Sequence, residues 1–165
     1  MKKAPIPKNE TRRLAALKSL NLLDTKPEPR FDSITKKLAE QLNAPIATLS
    51  LLDKNREWFK SCQGLPDREG DRGISFCGHA MLSKQIFIVE DTLNSPDFAD
   101  NPYVVGPPHI RFYAGVALRE KKSRLPIGVL CIKDTEPRKL TLKEIDTLLH
   151  LAKEAETELN RSANH

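Results

Sequence analysis

The sequence predicts an α+β fold in which helices from both ends of the chain pack on one face of an antiparallel sheet. Helical periodicity occupies both ends, segments that alternate apolar and polar residues occupy the middle, and short turns join those segments in pairs. The chain has 165 residues, of which 39% are hydrophobic and 30% are charged. A chain of this length and composition buries the core of a single domain.

The first helix follows an arm of eight residues. This arm, residues 1–8, has two prolines and little apolar content, so we expect it to be flexible. The helix begins after Asn9, whose side chain is expected to cap its free backbone N–H groups. Its apolar positions recur at a spacing of three: Leu14, Leu17 and Leu20.

Two further helices are predicted from their start signals. One begins near Pro29, because proline suits the first helical position, and ends before Pro45. Its apolar face carries Phe31, Ile34, Leu38 and Leu42. The last helix begins where Thr141 and Glu144 form a capping box, in which each side chain accepts a free backbone N–H of the other. Its apolar stripe consists of Leu142, Ile145, Leu148, Leu149, Ala152, Ala155 and Leu159.

Five strands are predicted between these helices. They are expected at residues 45–53, 57–62, 86–89, 112–118 and 126–134. The first two form an antiparallel hairpin, and the last is apolar on both faces, so we expect it to lie in the centre of the sheet. Residues 63–73 and 90–108 are rich in turn-forming residues and are predicted to be loops. Long loops in a compact domain are usually functional or mobile.

A thiol and an imidazole lie two residues apart in the segment from Gly73 to Ala80. Ser75 is expected to cap a short helix there, which would place Cys77 beside the positive end of the helix. One interpretation is therefore a reactive thiol with a lowered pKa. The alternative is that Cys77 is a small buried hydrophobic residue and His79 a hydrogen-bonded spacer. These two residues are too few for a structural zinc site, so no metal is predicted.

Composition excludes several classes of function. The net charge of +5 suggests nucleic acid as a partner, but the basic residues do not interleave with aromatic ones, so nucleic-acid binding is not predicted. The sequence has no run of 18 apolar residues and no secretory signal, so no membrane association is expected. The three cysteines are odd in number and far apart, which indicates free thiols in a reducing cytoplasm.

Several segments together resemble the GAF domains of bacterial two-component sensors and diguanylate cyclases. The matching residues are 74–80, 89–92, 97–102, 109–115 and 127–134, beginning Ile74-Ser75-Phe76-Cys77-Gly78-His79-Ala80. The resemblance covers roughly residues 10–160. It implies a sheet of five or six antiparallel strands, terminal helices on one face that often mediate dimerisation, and a loop-covered pocket on the other face. It also implies a sensory or regulatory role, usually without catalysis.

The resemblance divides the chain into the flexible arm (1–8), a single GAF domain (9–160) and a C-terminal tail (161–165). It does not identify a ligand. The Asn-Lys-Phe-Asp-Glu signature of cyclic-nucleotide-binding members and the Asp-Ile-Pro loop of bilin-binding members are both missing. Free methionine-R-sulfoxide reductases share the fold and use cysteines on pocket loops. Cys62 and Cys77 lie in comparable regions, although the surrounding motifs differ.

Nine residues are the candidates for lining the pocket. They are Ser75, Phe76, Cys77, His79, Asp91, Asp97, His109, Arg111 and Tyr113. The aspartates have an alternative role in forming turns, and Arg111 has one in pinning the long middle loop by pairing with Asp91 or Asp97. No catalytic residue and no cofactor is assigned.

Three functional hypotheses follow from these residues and from the resemblance. The first is a sensory domain that binds an unknown small molecule, forms a homodimer through its terminal helices and signals through them or through a downstream protein. The second is a thiol-dependent enzyme similar to free methionine-R-sulfoxide reductase. The third is a dimerisation module without a ligand.

Overall fold

The computed structural model describes residues 1–162, within which one six-stranded antiparallel sheet separates two layers of the molecule. The strands are β1 (Ile46–Leu52), β2 (Arg56–Gln63), β3 (Glu69–Asp71), β4 (Phe87–Val89), β5 (Phe112–Arg119) and β6 (Pro126–Asp134). Their order across the sheet is β3-β2-β1-β6-β5-β4, and every neighbouring pair is antiparallel. The predicted fold class is confirmed, as is the central position of β6.

The back layer consists of three helices. They are α1 (Glu10–Ser19), α2 (Pro29–Gln41) and α5 (Leu142–Ser162). Their apolar stripes pack on the sheet in one core cluster, in which Phe31 and Leu38 of α2 are completely buried. Alternate residues of the central strands, such as Leu49 and Leu130, complete this core from the sheet side. The terminal helices therefore lie on one face of the sheet, as expected.

The front layer consists of short elements and loops. It contains α3 (Phe76–Ala80), α4 (Pro102–Val105) and 3-10 turns at Arg72–Ile74 and Thr92–Asn94. Its apolar side chains form a second core cluster with the other face of the central strands, where Cys131 and Val129 alternate with the residues that face the helices. The segment from Gly73 to Ala80 thus lies opposite the terminal helices.

The predicted helix caps are partly confirmed. Thr141 and Glu144 form the capping box, with N···O distances of 2.9 and 3.1 Å. Ser75 caps α3, because its Oγ accepts a hydrogen bond from the Gly78 N–H at 2.9 Å. The prediction for Asn9 is wrong: its side chain makes no capping hydrogen bond. Its backbone carbonyl instead accepts the Arg13 N–H, the first bond of the helix.

Three features differ from the sequence-based expectation. Residues 63–73 contain the short strand β3, which pairs with Arg56–Trp58. The arm is docked on the front layer, where the Lys2 N–H donates to the Asp97 carbonyl and the Ala4 N–H donates to the Gly73 carbonyl, both at 3.0 Å. Periodicity does not reveal such contacts, because they join the arm to distant loops. Helix α5 continues through Ser162, and the remainder of the predicted tail, residues 163–165, lies outside the described residues.

Among the residues described, no helix combines the length and the apolar composition needed to cross a membrane.

The back core predicts a large difference between two leucine substitutions. Leu38 is completely buried, whereas Leu142 is 82% exposed. Leu38→Ala should lower the free energy of unfolding by about 2–5 kcal/mol, because it leaves a cavity. The matched control Leu142→Ala should change it by less than about 0.5 kcal/mol. Urea titration followed by circular dichroism measures both, and equal effects would contradict the assignment of this core.

Candidate functional site

The front face of the sheet holds an open cavity of about 200 Å³, which we call the front-face pocket. It lies between the segment that precedes β3, the α4 region and the sheet itself. Its lining residues are Glu57, Phe59, Leu65, Pro66, Asp67, Glu69, Gly70, Tyr103, Pro107, Pro108, Ile110 and Lys133. Two loops predicted from turn residues thus supply the walls, and two strands supply the floor.

The floor of the pocket follows from strand alternation. On β2, Trp58 faces the back core, so its neighbours Glu57 and Phe59 face the front. On β6, Ile132 faces the back core, so Lys133 faces the front. Because β1 lies between β2 and β6, the side chains of Glu57 and Lys133 approach the pocket from different strands.

The two charged floor residues are buried but do not neutralise each other directly. Glu57 is 3% exposed and Lys133 is 5% exposed. They are further apart than the 4.0 Å of an ion pair, and the Oε2 atom of Glu57 has no hydrogen-bond partner among the described residues. Burial by itself would lower the pKa of Lys133, but the Glu57 carboxylate and the nearby cysteines Cys131, Cys77 and Cys62 together raise that pKa above its usual value. The floor therefore presents a carboxylate and an ammonium group with a gap between them.

The walls and the rim differ in chemical character. The walls are apolar and consist of Phe59, Leu65, Pro66, Pro107, Pro108, Ile110 and the ring of Tyr103. At the rim, the exposed carboxylates of Asp67 and Glu69 face the opening. Arg56 pairs with Glu69 at 3.5 Å, which leaves Asp67 as an additional negative group at the mouth. The pocket thus combines a charged floor with an apolar wall, as small-molecule sites generally do.

The nine candidate residues, all of which are described, lie outside the lining of this pocket. Phe76, Cys77 and Tyr113 instead fill the front core. The ring of Phe76 stacks on Phe98 with centroids 4.5 Å apart, and the Tyr113 hydroxyl donates to the Cys77 sulfur at 3.0 Å. Ser75 is used as the helix cap.

The remaining candidates hold loops in place. A ring nitrogen of His79 contacts the Lys2 carbonyl at 3.2 Å, and its ring packs edge-on against Phe98. Asp91 accepts the Leu93 N–H in the turn role considered as its alternative. Asp97 contributes its backbone carbonyl to the arm. Arg111 does pin the middle loop, but by donating to the carbonyls of Val104 and Ile110 rather than by pairing with Asp91 or Asp97.

His109 is exposed beside the pocket wall, between Pro108 and Ile110. The residues that sequence reasoning missed are Glu57 and Lys133. A signal for Lys133 was present, since it continues the apolar alternation of a central strand on the face of Val129 and Cys131. A charged residue at such a position requires a compensating partner.

The thiols of the front core are shielded from solvent. Cys77 and Cys131 are completely buried with their sulfur atoms 3.7 Å apart. Burial raises the pKa of Cys77, and its hydrogen bond to Cys131 adds to the effect. Burial also raises the pKa of Tyr113. This corresponds to the interpretation of Cys77 as a small hydrophobic residue. The side chains of Cys77 and His79 have different partners, and within residues 1–162 no three metal-binding side chains gather into a site.

A buried ionic cluster joins helix α1 to the pocket side of the sheet. The Glu10 carboxylate accepts hydrogen bonds from Arg13 and Arg72, and both arginines are almost completely buried. Arg13 also donates to the Leu52 carbonyl at 2.7 Å, and Arg72 donates to the Asp53 carbonyl at 3.1 Å. Burial alone would raise the pKa of Glu10, but the two arginines lower it from 4.5 to about 2.

These features define a GAF domain, in which one antiparallel sheet separates packed terminal helices from a loop-covered pocket. The GAF family model matches residues 26–159, so the chain belongs to the GAF domain family. GAF domains generally have sensory or regulatory roles.

One relative is a cyclic di-GMP phosphodiesterase of Pseudomonas aeruginosa, which is 40% identical to this chain over 150 residues. The match covers 90% of this chain but only 25% of that protein, so the chain spans about a quarter of the relative's length.

Two solved structures illustrate the likeness in fold. The GAF domain of an Acinetobacter phosphoenolpyruvate-protein phosphotransferase has a TM-score of 0.62 at 15% identity, with 93% of this chain and 94% of that chain covered. The free methionine-R-sulfoxide reductase of Neisseria meningitidis, solved with its substrate, has a TM-score of 0.64 at 16% identity, with 99% and 97% covered. At these identities the similarity shows the fold alone.

The Glu10 cluster predicts a stability difference that depends on pH. The folded-state pKa of Glu10 lies below its unfolded value, so its contribution is complete above about 4.5 and disappears as the pH falls through about 2. Each unit of lowering is worth about 1.4 kcal/mol. Glu10→Gln should therefore lower the free energy of unfolding by about 1–2 kcal/mol near neutral pH, because solvent screens part of the pairing; urea titration measures this change.

This difference between the wild type and Glu10→Gln should shrink steadily below about pH 4.5. The exposed control Glu136→Gln should match the wild type within about 0.5 kcal/mol at each pH. A penalty for Glu10→Gln that stays constant down to the acid transition would contradict the ionic role of Glu10.

Burial of the front-core thiols predicts their reactivity. In the native protein at mildly alkaline pH, Ellman's reagent should react with Cys62, which is half-buried, and not with Cys77 or Cys131. All three should react in concentrated guanidinium chloride. Cys62→Ser should abolish the native-state signal. Rapid labelling of Cys77 in the folded protein would show that the front core is open.

Proposed function

We propose that this chain is a sensory GAF domain that binds a small molecule in the front-face pocket. The observation that supports this most directly is the buried Glu57 carboxylate, one of whose oxygens has no partner among the residues described. An uncompensated charge in a protein interior is destabilising unless a partner arrives. A ligand that enters the pocket supplies that partner, and the binding energy it gains is available to bias the conformation of the domain.

A contiguous set of contacts leads from the pocket to the first terminal helix. Gly70 of β3 lines the pocket, and β3 leads directly into the 3-10 turn that contains Arg72. Arg72 in turn holds Glu10, which begins α1. Ligand occupancy that shifts β3 therefore acts on α1 through one ionic contact.

The activity that this domain would regulate is carried by another domain or by another protein. The Pseudomonas relative is named a cyclic di-GMP phosphodiesterase, and this chain matches a quarter of it. We infer that the chain regulates an output module of this kind, either attached to it or as a partner protein. Pairing of two copies through the terminal helices is part of the proposal, and the partly exposed Leu149 of α5 is available for it.

The two alternative hypotheses have less support. A ligand-free dimerisation module would need no open pocket, whereas about 200 Å³ is open here. A thiol enzyme would need a cysteine at its ligand site, and the described lining of the pocket includes none. Of the cysteines, Cys62 is half-buried and Cys77 and Cys131 are inaccessible.

The proposal predicts thermal stabilisation by pocket ligands. A ligand at a hundred times its Kd stabilises a protein by about 2.7 kcal/mol, which raises the Tm of a domain of this size by about 5 °C or more. Differential scanning fluorimetry with a broad library of metabolites measures this shift. In the variant Leu65→Trp, which fills the pocket, the same compounds should have no effect.

Hydrogen exchange then tests the transmission step. Ligand binding should change the exchange of α1 amides in the wild type, and Glu10→Gln should retain binding but lose that change. If no compound raises the Tm, or if the Tm of Leu65→Trp rises as much as that of the wild type, the proposal is overturned.

A further inference from the structure

Resting on the proposed sensory function, we propose that the ligand of the front-face pocket is a small neutral amino acid, or another zwitterion with one ammonium and one carboxylate group. Its ammonium group binds the Glu57 carboxylate, its carboxylate binds the Lys133 ammonium, and its side chain packs on the apolar wall. The proposal follows from the charge, the spacing and the volume of the pocket.

The charges on the floor require both halves of a zwitterion. Glu57 lacks a partner for one carboxylate oxygen, and the Lys133 ammonium group is not within ion-pair distance of any carboxylate in residues 1–162. An amine by itself would satisfy Glu57 and leave Lys133 buried without an anion. A carboxylic acid by itself would satisfy Lys133 and leave Glu57 unpaired. A ligand with both groups satisfies each of them, and such charge-assisted hydrogen bonds are the strong ones.

The two charged groups do not contact each other directly. The Glu57 carboxylate raises the pKa of Lys133, so the two charges interact across the pocket. They remain further apart than the 4.0 Å of a direct ion pair. The strand registers also offset them, because Glu57 lies opposite Leu52 of β1 whereas Lys133 lies opposite Ile46. The Phe59 ring lies 5.8 Å from the Lys133 Nζ atom and helps to hold the ammonium group in place.

The rim and the volume exclude other classes of ligand. Asp67 adds a negative charge at the mouth, so a ligand with a net negative charge, such as a nucleotide, is repelled. The volume of about 200 Å³ is below the roughly 300–1,000 Å³ typical of pockets for drug-sized ligands. At about 30 Å³ per water molecule it corresponds to about seven waters. An aliphatic amino acid fits this space, and its side chain matches the apolar surface of Leu65 and Ile110.

Titration calorimetry of the full chain with three matched compounds tests the proposal. They are leucine, 3-methylbutylamine, which lacks its carboxylate, and 4-methylpentanoate, which lacks its ammonium group. Leucine should bind at least about tenfold more tightly than either fragment, because each fragment leaves one buried charge unpaired. Glycine should bind more weakly than leucine, because it cannot contact the apolar wall.

Two substitutions test which residue binds which charged group of the ligand. Glu57→Gln should weaken leucine binding by about tenfold or more and leave the binding of 4-methylpentanoate nearly unchanged. Lys133→Met should weaken leucine binding similarly and spare 3-methylbutylamine. The exposed control Glu136→Gln should change no affinity by more than about twofold.

The outcomes separate this inference from the sensory function. Leucine no tighter than its fragments, or leucine binding that survives both substitutions, overturns the zwitterion assignment. If a variant does not fold, the comparison of the three compounds on the wild type decides the question. Binding of an amine or an anion without any zwitterion overturns the inference and leaves the sensory function standing. A protein that binds no compound of any class in the metabolite library overturns both.

Discussion

The pairing of β1 with β6 is the constraint on which the rest of the structure depends. Every residue of β1 is buried, and β6 is buried along all but its last position, so both faces of this pair must be covered. The back face is covered by α1, α2 and α5. The front face has only short elements and loops to cover it, and the docked arm contributes Ala4 to that cover. Loops cover the sheet less completely than packed helices do, and the space that they leave is the pocket.

Charged groups buried in this otherwise apolar framework show two arrangements: some pair with other side chains, and some face the pocket. Glu10 illustrates the first case, because Arg13 and Arg72 surround its carboxylate and lower its pKa to about 2. Glu57 and Lys133 illustrate the second case, because each is buried, both line the pocket, and they are not within ion-pair distance of each other. Burying a charge is costly, so its retention at a cavity floor favours a role in binding over a role in stability.

The same framework connects the two faces of the sheet. Helix α1 belongs to the back layer, but its first residue holds Arg72 in the turn that follows β3. The arm that precedes α1 crosses to the front layer and bonds to Gly73 and Asp97. The N-terminal segment is thus in contact with both layers. These backbone hydrogen bonds hold the arm against the front layer.

Local structure could be predicted from the amino-acid sequence. The sequence correctly predicted the apolar stripe of α2, the capping box of Thr141 and the two apolar faces of β6. Such features can be predicted because periodicity and capping depend on neighbours within a few residues. The tertiary structure decided the site. The sequence analysis predicted that candidates from residues 74–80 line the pocket. They pack into the front core, and Glu57 and Lys133 line the pocket instead. Glu57 and Lys133 line the same pocket only because β2 and β6 flank β1 in the sheet. No local sequence pattern predicts that residues so far apart in the chain line one pocket.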